Sequence, residues 1–305
     1  MIKKSPVIIY KYRKSQEGNE NIMNSKMSLL KIIGIYFFSI LILVLCQVIA
    51  SFWYYLDLYG MENIFFMFTN IGLVYLLLKL FVEKILKEKL ECFRIGKFNI
   101  SLKWIIVSII LPIFVVACIY IFIPGKFYYN GYSATKNISI ILQGIFTIGI
   151  SAGVTEEIIF RGIIMKILED RYNIKIAIII PSLLFGLLHI FNGQIDFFSM
   201  VLLILGGTTV GIMFSLLTYY SNSIWFSALV HSVWNMIIIG GICNFGIVKD
   251  SYAISYYLLE DVNLILTGGE FGIEVSIFAM VGYLLMIMYA VIFMKKENNL
   301  NEIKY

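Results

Sequence analysis

The sequence is poor in charge, proline and cysteine, and each shortage excludes a class of protein. Only 14% of its residues are charged and 60% are hydrophobic, whereas a soluble globular chain carries about 25% charged residues. With four prolines, it has no proline-rich linker. The four cysteines share no CxxC spacing, and three of them lie in apolar runs, so we interpret them as packing residues. Neither a soluble domain nor a disulfide-stapled or cysteine-ligated zinc protein is expected.

The sequence is rich in long apolar runs. A helix needs roughly 20 apolar residues to cross a bilayer, and eight runs approach or exceed that length. The predicted spans are 29–56, 64–82, 100–123, 138–165, 175–192, 198–220, 224–245 and 271–294. We therefore predict an all-α fold, a polytopic membrane helix bundle with about eight transmembrane helices. The stretch 250–270 fits either an external amphipathic helix or part of a longer span.

Basic residues give this bundle a predicted orientation. They concentrate in the segments 1–28, 84–103, 166–175 and 295–305. The connections on the opposite side carry only Lys126, Lys136 and Lys249. Because cytoplasmic loops are enriched in Lys and Arg, we predict a multi-pass cell-membrane protein with both termini, and the entrance to any site, facing the cytoplasm. The net charge of +5 is then topogenic and predicts no nucleic-acid partner.

The predicted organisation has three parts. A cytoplasmic N-terminal arm covers residues 1–28, the transmembrane domain covers 29–294, and a cytoplasmic tail covers 295–305. Within span six, Gly207 and Gly211 form a GxxxG pair, which we interpret as a site of close helix packing.

Three of the spans contain polar groups that are costly to place in lipid. These groups are Glu156, Glu157 and Arg161 in span four, His189 in span five, and His231 and Asn235 in span seven. Ionisable residues inside a membrane mark functional sites by default. At 1.5 Å per residue, Glu156, His189, His231 and Asn235 lie roughly 12 to 21 Å from the cytoplasmic ends of their helices. Three helices therefore bring polar groups to a similar level.

Helical spacing divides these residues into roles. Glu157 and Arg161 are four residues apart and can pair, and this leaves the adjacent Glu156 pointing elsewhere. His231 and Asn235 have the same spacing and can face one cavity. A carboxylate and an imidazole can together deprotonate water, and further donors such as His231 and Asn235 can hold an oxyanion. This set is suited to amide hydrolysis inside a membrane.

Two other chemistries use residues of the same spans. Ser151, Ser182, Ser227 and Ser232 lie in these spans, and none of the four lies in a GxSxG motif. Glu156, His189 and His231 have the composition of a His₂Glu zinc site, although neither histidine lies in an HExxH motif. Zinc thus stays an alternative, and no cofactor is assigned.

Three motifs on successive predicted helices resemble those of a known family. They are EExxxR at 156–161, FxxxH at 185–189 and HxxxN at 231–235. In this order the chain resembles the CPBP group of CAAX proteases and bacteriocin-processing enzymes (Abi proteins), and is similar to the type II CAAX prenyl endopeptidase. The resemblance covers about 138–245, the predicted protease core.

The resemblance implies an intramembrane endopeptidase with an all-helical core. It assigns water activation to Glu156 and His189 and oxyanion stabilisation to His231 and Asn235. Glu157 and Arg161 form a polar pair that supports these four catalytic residues. The implied partner is a membrane-associated protein or peptide in the lipid bilayer, with either a prenylated substrate or a role in bacteriocin processing or immunity.

Two functions without hydrolysis remain open. The first is a membrane scaffold or immunity protein that binds a peptide and does not cut it. The second is a proton-coupled transporter that uses the same Glu and His residues. Transporters of this kind commonly show paired halves with broken helices, and the sequence shows no matching halves.

Overall fold

The computed structural model describes residues 27–192, 196–260 and 263–294. The predicted tail and all but the last two residues of the predicted arm lie outside the described residues. The helices are α1 (Leu29–Leu56), α2 (Glu62–Leu86), α3 (Leu102–Phe122), α4 (Ala134–Arg171), α5 (Ile174–Phe191), α6 (Phe197–Ser221), α7 (Ile224–Ile238), α8 (Leu264–Thr267) and α9 (Ile277–Met294). The strands are β1 (Gly125–Tyr129), β2 (Cys243–Gly246) and β3 (Ser255–Leu259).

The polytopic helical fold that the sequence predicted is confirmed. In the described part of the chain, seven helices are long and apolar enough to cross a membrane, and α7 is a shorter apolar helix. Their outward faces carry large apolar side chains such as Leu30, Phe37 and Ile121, which are mostly exposed in the isolated chain. A lipid environment covers such faces.

Short polar residues determine where most of these helices begin. At the starts of α1, α3, α4, α5, α6, α7 and α9, a side-chain oxygen accepts a hydrogen bond from a first-turn N–H group. The capping residues are Ser28, Ser101, Ser133, Asn173, Asp196, Ser223 and Ser276. Such caps satisfy backbone donors that lipid cannot satisfy.

Helix α7 is the central helix of the bundle. Most of its 15 residues are buried, and it contacts α3, α4 and α6. Because protein surrounds it, this helix need not match the roughly 20 residues of a lipid-exposed span. The predicted end of this span at residue 245 is wrong: the helix ends at Ile238, Gly241 has a φ of 82°, and β2 begins at Cys243.

The α5–α6 pair crosses at glycines. A Cβ atom on Gly207 would lie 2.7 Å from the Gly186 Cα, and one on Gly211 would lie 2.7 Å from the Ser182 Cβ. These distances are too short for any side chain. The interpretation of Gly207 and Gly211 as a close-packing motif is confirmed.

A small sheet, which the sequence analysis did not predict, joins the connections at one end of the bundle. The strand order is β1–β3–β2, with β1 antiparallel and β2 parallel to β3. In its described residues, 250–260 and 263–270, the ambiguous stretch forms neither an amphipathic helix nor part of a longer span. These residues include β3 and the single turn of α8.

The two ends of the bundle differ in composition. At one end, Arg171 at the end of α4 donates from Nε to the Met27 carbonyl at 2.9 Å, and the Lys103 ammonium at the start of α3 lies over the Tyr289 ring near the end of α9. Both ends of the helical domain therefore lie together with the basic loops. We call this the basic end, and we call the opposite one, with β1, β2 and β3, the sheet end.

Candidate active site

Helix α4 carries three of the predicted site residues and is irregular around them. Two π-helical segments, Gln143–Ser151 and Ile158–Ile164, flank an α-helical turn at Ala152–Glu157. In a π-helix each turn holds an extra residue, and such segments are frequent at functional sites. Glu156 and Glu157 thus lie on the regular turn between two widened ones.

Glu157 and Arg161 form a fully buried ion pair. The Arg161 Nη1 atom lies 2.9 Å from the Glu157 Oε1 atom, and both side chains are 0% exposed. Arg161 also donates from Nη2 to the Gly211 carbonyl at 3.2 Å, and its guanidinium carbon lies 4.7 Å from the centre of the Phe185 ring. A charge removed from water needs such compensation. The pair fixes the α4 turn against α5 and α6.

His231 lies between the two adjacent carboxylates. Its Nδ1 atom is 3.2 Å from the Glu157 Oε1 atom, and its Nε2 atom is 3.9 Å from the Glu156 Oε2 atom. The ring stacks on Phe214, with centroids 4.7 Å apart. Glu156 Oε2 is buried and has no hydrogen-bond partner among the described residues. The Glu157–Arg161 pair therefore orients His231, while the carboxylate of Glu156 stays available for another group.

His189 is held by its own helix. Its Nδ1 atom lies 2.8 Å from the Phe185 carbonyl oxygen, one turn earlier on α5. Because a carbonyl oxygen only accepts, Nδ1 carries the proton, and in a neutral ring Nε2 is left as an acceptor. Within the described part of the chain, the imidazole at ion-pair distance from Glu156 is that of His231, not of His189.

Asn235 lies one turn after His231 on α7. Its Nδ2 atom donates to the Ile148 carbonyl of α4 at 3.0 Å. That carbonyl belongs to the first π-helical segment, so the irregular backbone of α4 and the amide of α7 satisfy one another. A second N–H of the same amide remains for another acceptor.

One cavity of about 330 Å³ is lined by Glu156, His189, His231 and Asn235 together. Gln47 near the far end of α1 and Asn70 near the start of α2 also line it. Both of these positions lie toward the sheet end. The cavity thus extends into the half of the bundle nearer the sheet, and an entrance at the end with the basic loops stays a prediction.

Glu274 is a cavity residue that the sequence analysis missed. It lies in a turn just before α9 and lines the same cavity. Its Oε1 atom accepts a hydrogen bond from Trp234 Nε1 at 3.2 Å, and its backbone carbonyl accepts one from the Tyr283 hydroxyl at 2.8 Å. Burial raises the pKa of its carboxyl above the usual value, and the Trp234 hydrogen bond and the nearby His189 and His231 offset only part of that rise.

A signal for Glu274 was present in the sequence. The predicted span 271–294 contains this single carboxylate, and a charge inside a span marks a candidate site. It lacks a neighbouring histidine or a family motif, so motif spacing alone did not identify it.

The placement of the possible ligands bears on the zinc alternative. In the ranges that the structure describes, no three His, Cys, Asp or Glu side chains are grouped so that they could hold one metal ion. Glu156, His189 and His231 do not form such a group as they stand.

Comparison with known proteins supports the motif analysis. Residues 138–237 match the family model described as type II CAAX prenyl endopeptidase Rce1-like. The matched segment contains all three motifs, and the match confirms the resemblance that they predicted. Neither the curated proteins nor the solved structures include a significant match to the chain. The family match and the apolar helices together support a multi-pass membrane protein of protease type.

Proposed function

We propose that the chain is an intramembrane endopeptidase that hydrolyses a peptide bond of a membrane-associated protein or peptide. The observation that carries this proposal is the cavity in which α4, α5 and α7 bring Glu156, His189, His231 and Asn235 together. The family match over 138–237 supports the same activity. Polar residues that served only to pack pairs of helices would not be expected to line one common cavity.

Glu156 is the proposed general base. It is partly buried, with 19% of its side chain exposed, and its Oε2 atom has no partner among the described residues. A water that gives its proton to Glu156 attacks the peptide carbonyl carbon and forms the new C–O bond. The proton then passes to the amide nitrogen, the C–N bond breaks, and an acid and an amine leave.

His189 assists Glu156 in this proposal. The hydrogen bond from its Nδ1 atom to Phe185 leaves Nε2 as the acceptor that can orient the same water. The two residues stand on different helices, so the water is the link between them. General acid–base assistance of this kind contributes about 10²–10⁴-fold to the rate.

His231 and Asn235 are the proposed donors to the oxyanion. Nδ1 of His231 faces Glu157, so donation from Nε2 requires a ring that is protonated at both nitrogens. Glu157 at Nδ1 and Glu156 near Nε2 balance such a charge. Asn235 is anchored through one N–H to Ile148 and offers the other. Oxyanion donors act where charge develops in the transition state.

The proposal is tested by the substitution Glu156→Gln. This change keeps the shape of the side chain and removes the proton acceptor, so we expect cleavage to fall at least about 10²-fold. The measurement is proteomic: new protein termini are compared between membranes of cells expressing the wild type and the variant. Purified proteins in detergent are then assayed on the peptides found.

Glu83→Gln is the matched control. Glu83 lies on α2, pairs with Lys79 at 3.9 Å, and is 40% exposed, so cleavage should stay at the wild-type level. Near-wild-type cleavage by Glu156→Gln would refute the proposed base. Saturable peptide binding by a wild type that cuts nothing would instead support the scaffold function.

A further inference from the structure

Resting on the proposed function, we infer that Asn70 on α2 binds the substrate. Its side-chain carbonyl accepts a hydrogen bond from a backbone N–H of the peptide about two residues from the scissile bond. Asn70 lies outside the residues 138–237 that match the family model, so neither the three motifs nor the match assigns it a role. Helix α2 then takes part in binding the peptide, whereas α4, α5 and α7 carry the proposed catalytic residues.

The side-chain amide of Asn70 is buried and only half satisfied. The residue is 1% exposed and lines the cavity together with Ser151. Its Nδ2 atom donates to the Ser151 hydroxyl at 2.9 Å, whereas its Oδ1 atom is buried and has no hydrogen-bond partner among the described residues. Buried polar atoms in native proteins are nearly always paired, and a carbonyl oxygen only accepts. A donor from outside those residues therefore completes this site, and a bound peptide carries such donors in its N–H groups.

Hydrogen bonds hold Asn70 in register with the irregular part of α4. Ser151 is the last residue of the first π-helical segment, Gln143–Ser151. In the same segment, the Thr147 hydroxyl donates to the Asn63 Oδ1 atom at 2.9 Å. Asn63 and Asn70 are seven residues apart and lie on one face of α2. The free oxygen of Asn70 is thus preorganised, and a ligand that binds it does not have to order the side chain first.

The distance between Asn70 and Glu156 indicates which part of the peptide Asn70 meets. Ser151, the partner of Asn70, lies five residues before Glu156 on α4, a rise of roughly 7 Å along the helix. An extended peptide advances about 3.3 Å per residue. With the scissile carbonyl beside Glu156, Asn70 is level with an amide about two residues away. A peptide that leaves water needs a partner for each buried N–H group, and Asn70 supplies one.

The test replaces single N–H groups of the peptide by oxygen. The probe is a peptide from the proteomic comparison above, made with a fluorophore and a quencher. In each member of a series, one amide near the scissile bond becomes an ester, which removes a donor with little change in shape. The value of kcat/KM is measured for every member with the wild type and with Asn70→Leu, a variant of similar size that has no acceptor.

In the wild type, the ester level with Asn70 should lower kcat/KM by about three- to tenfold, the contribution of one hydrogen bond. In Asn70→Leu the unmodified peptide should already show this loss, and the same ester should cause no further one. A role of Asn70 in helix packing alone would lower the activity on all peptides by the same factor. Equal responses of the two proteins to every ester overturn the inference and leave the protease intact.

Thr69→Val is the matched control. Thr69 neighbours Asn70 on α2, and its hydroxyl accepts from Trp53 Nε1 at 2.8 Å, but it is not one of the described residues that line the cavity. This variant removes a polar atom from the same helix and keeps the shape of the side chain. It should respond to every ester as the wild type does.

Thermal unfolding in detergent checks that Asn70→Leu is folded, and Asn70→Ser, which is too short to reach the peptide, replaces it if it is not. The wild-type series also decides by itself. If no ester about two residues from the scissile bond lowers kcat/KM, the inference is wrong. A wild type that cleaves no peptide overturns the proposed function and this inference with it.

Discussion

Arg161 is held by one carboxylate, one carbonyl and the faces of aromatic rings, with no exposed surface. We predict that Arg161→Met, which leaves Glu157 buried without its cation, lowers the free energy of unfolding by about 3–5 kcal/mol. Thermal unfolding of the purified protein in detergent measures the loss. Adding Glu157→Gln should restore part of it, because the unpaired anion is then removed.

Lys79→Met supplies the comparison for this prediction. Lys79 and Glu83 have the same four-residue spacing, but their side chains are 44% and 40% exposed. Exposed pairs contribute about 0–1 kcal/mol, so the unfolding temperature should hardly move. Equal losses in the two variants would show that burial of the Arg161 pair has no special energetic consequence.

At the scale of the residue, the sequence supported Glu156, Glu157, Arg161, His189, His231 and Asn235 as one group. The cost of placing these polar groups in lipid and their spacing on the helices were enough to group them. In the structure, four of them line one cavity, and Glu157 and Arg161 form the buried ion pair beside it. Their catalytic roles stay predictions. Glu274 was missed because its proximity to the others arises from tertiary folding, which helical spacing does not encode.

At the scale of the element, the α5–α6 crossing depends on the absence of side chains. We predict that Gly207→Ala lowers the free energy of unfolding by about 1–3 kcal/mol, since the new methyl group would meet the backbone of Gly186. Gly72→Ala on α2 is the control, because a Cβ there meets nothing within 4 Å. That change should be neutral or stabilising by up to about 1 kcal/mol. Similar losses in both would rule out the contact as the cause.

The lengths of the apolar runs predicted most of the helices well, because the thickness of the bilayer sets the length of a membrane-spanning helix. This prediction failed where a segment is surrounded by protein and not by lipid. Helix α7 ends at Ile238 although apolar residues continue beyond it. The π-helical segments of α4 and the small sheet were also missed. These features depend on hydrogen bonds between distant segments, such as that from Asn235 to Ile148.

At the scale of the whole molecule, the segregation of basic residues to one end gives an orientation that can be tested. We predict that the basic end faces the cytoplasm. In a variant whose native cysteines are replaced, an impermeant thiol reagent should label Tyr252→Cys, which is 88% exposed in the wild type, on intact cells. Lys84→Cys, next to the basic loop after α2, should be labelled only after the membrane is permeabilised. The reverse pattern would invert the orientation and place the cavity in the cytoplasmic half.

The pairing of Glu157 with Arg161 has a consequence for biogenesis. A single charged residue at the centre of an inserting helix costs about 2.5–3.5 kcal/mol. Because both partners lie on one helix, four residues apart, their charges can cancel as soon as α4 is helical, before α5, α6 or α7 has left the ribosome. A cation supplied by a later helix would leave α4 to enter the bilayer with two uncompensated glutamates. Because helices are synthesised in order, an arginine on α4 itself can neutralise Glu157 earlier than a cation on any later helix.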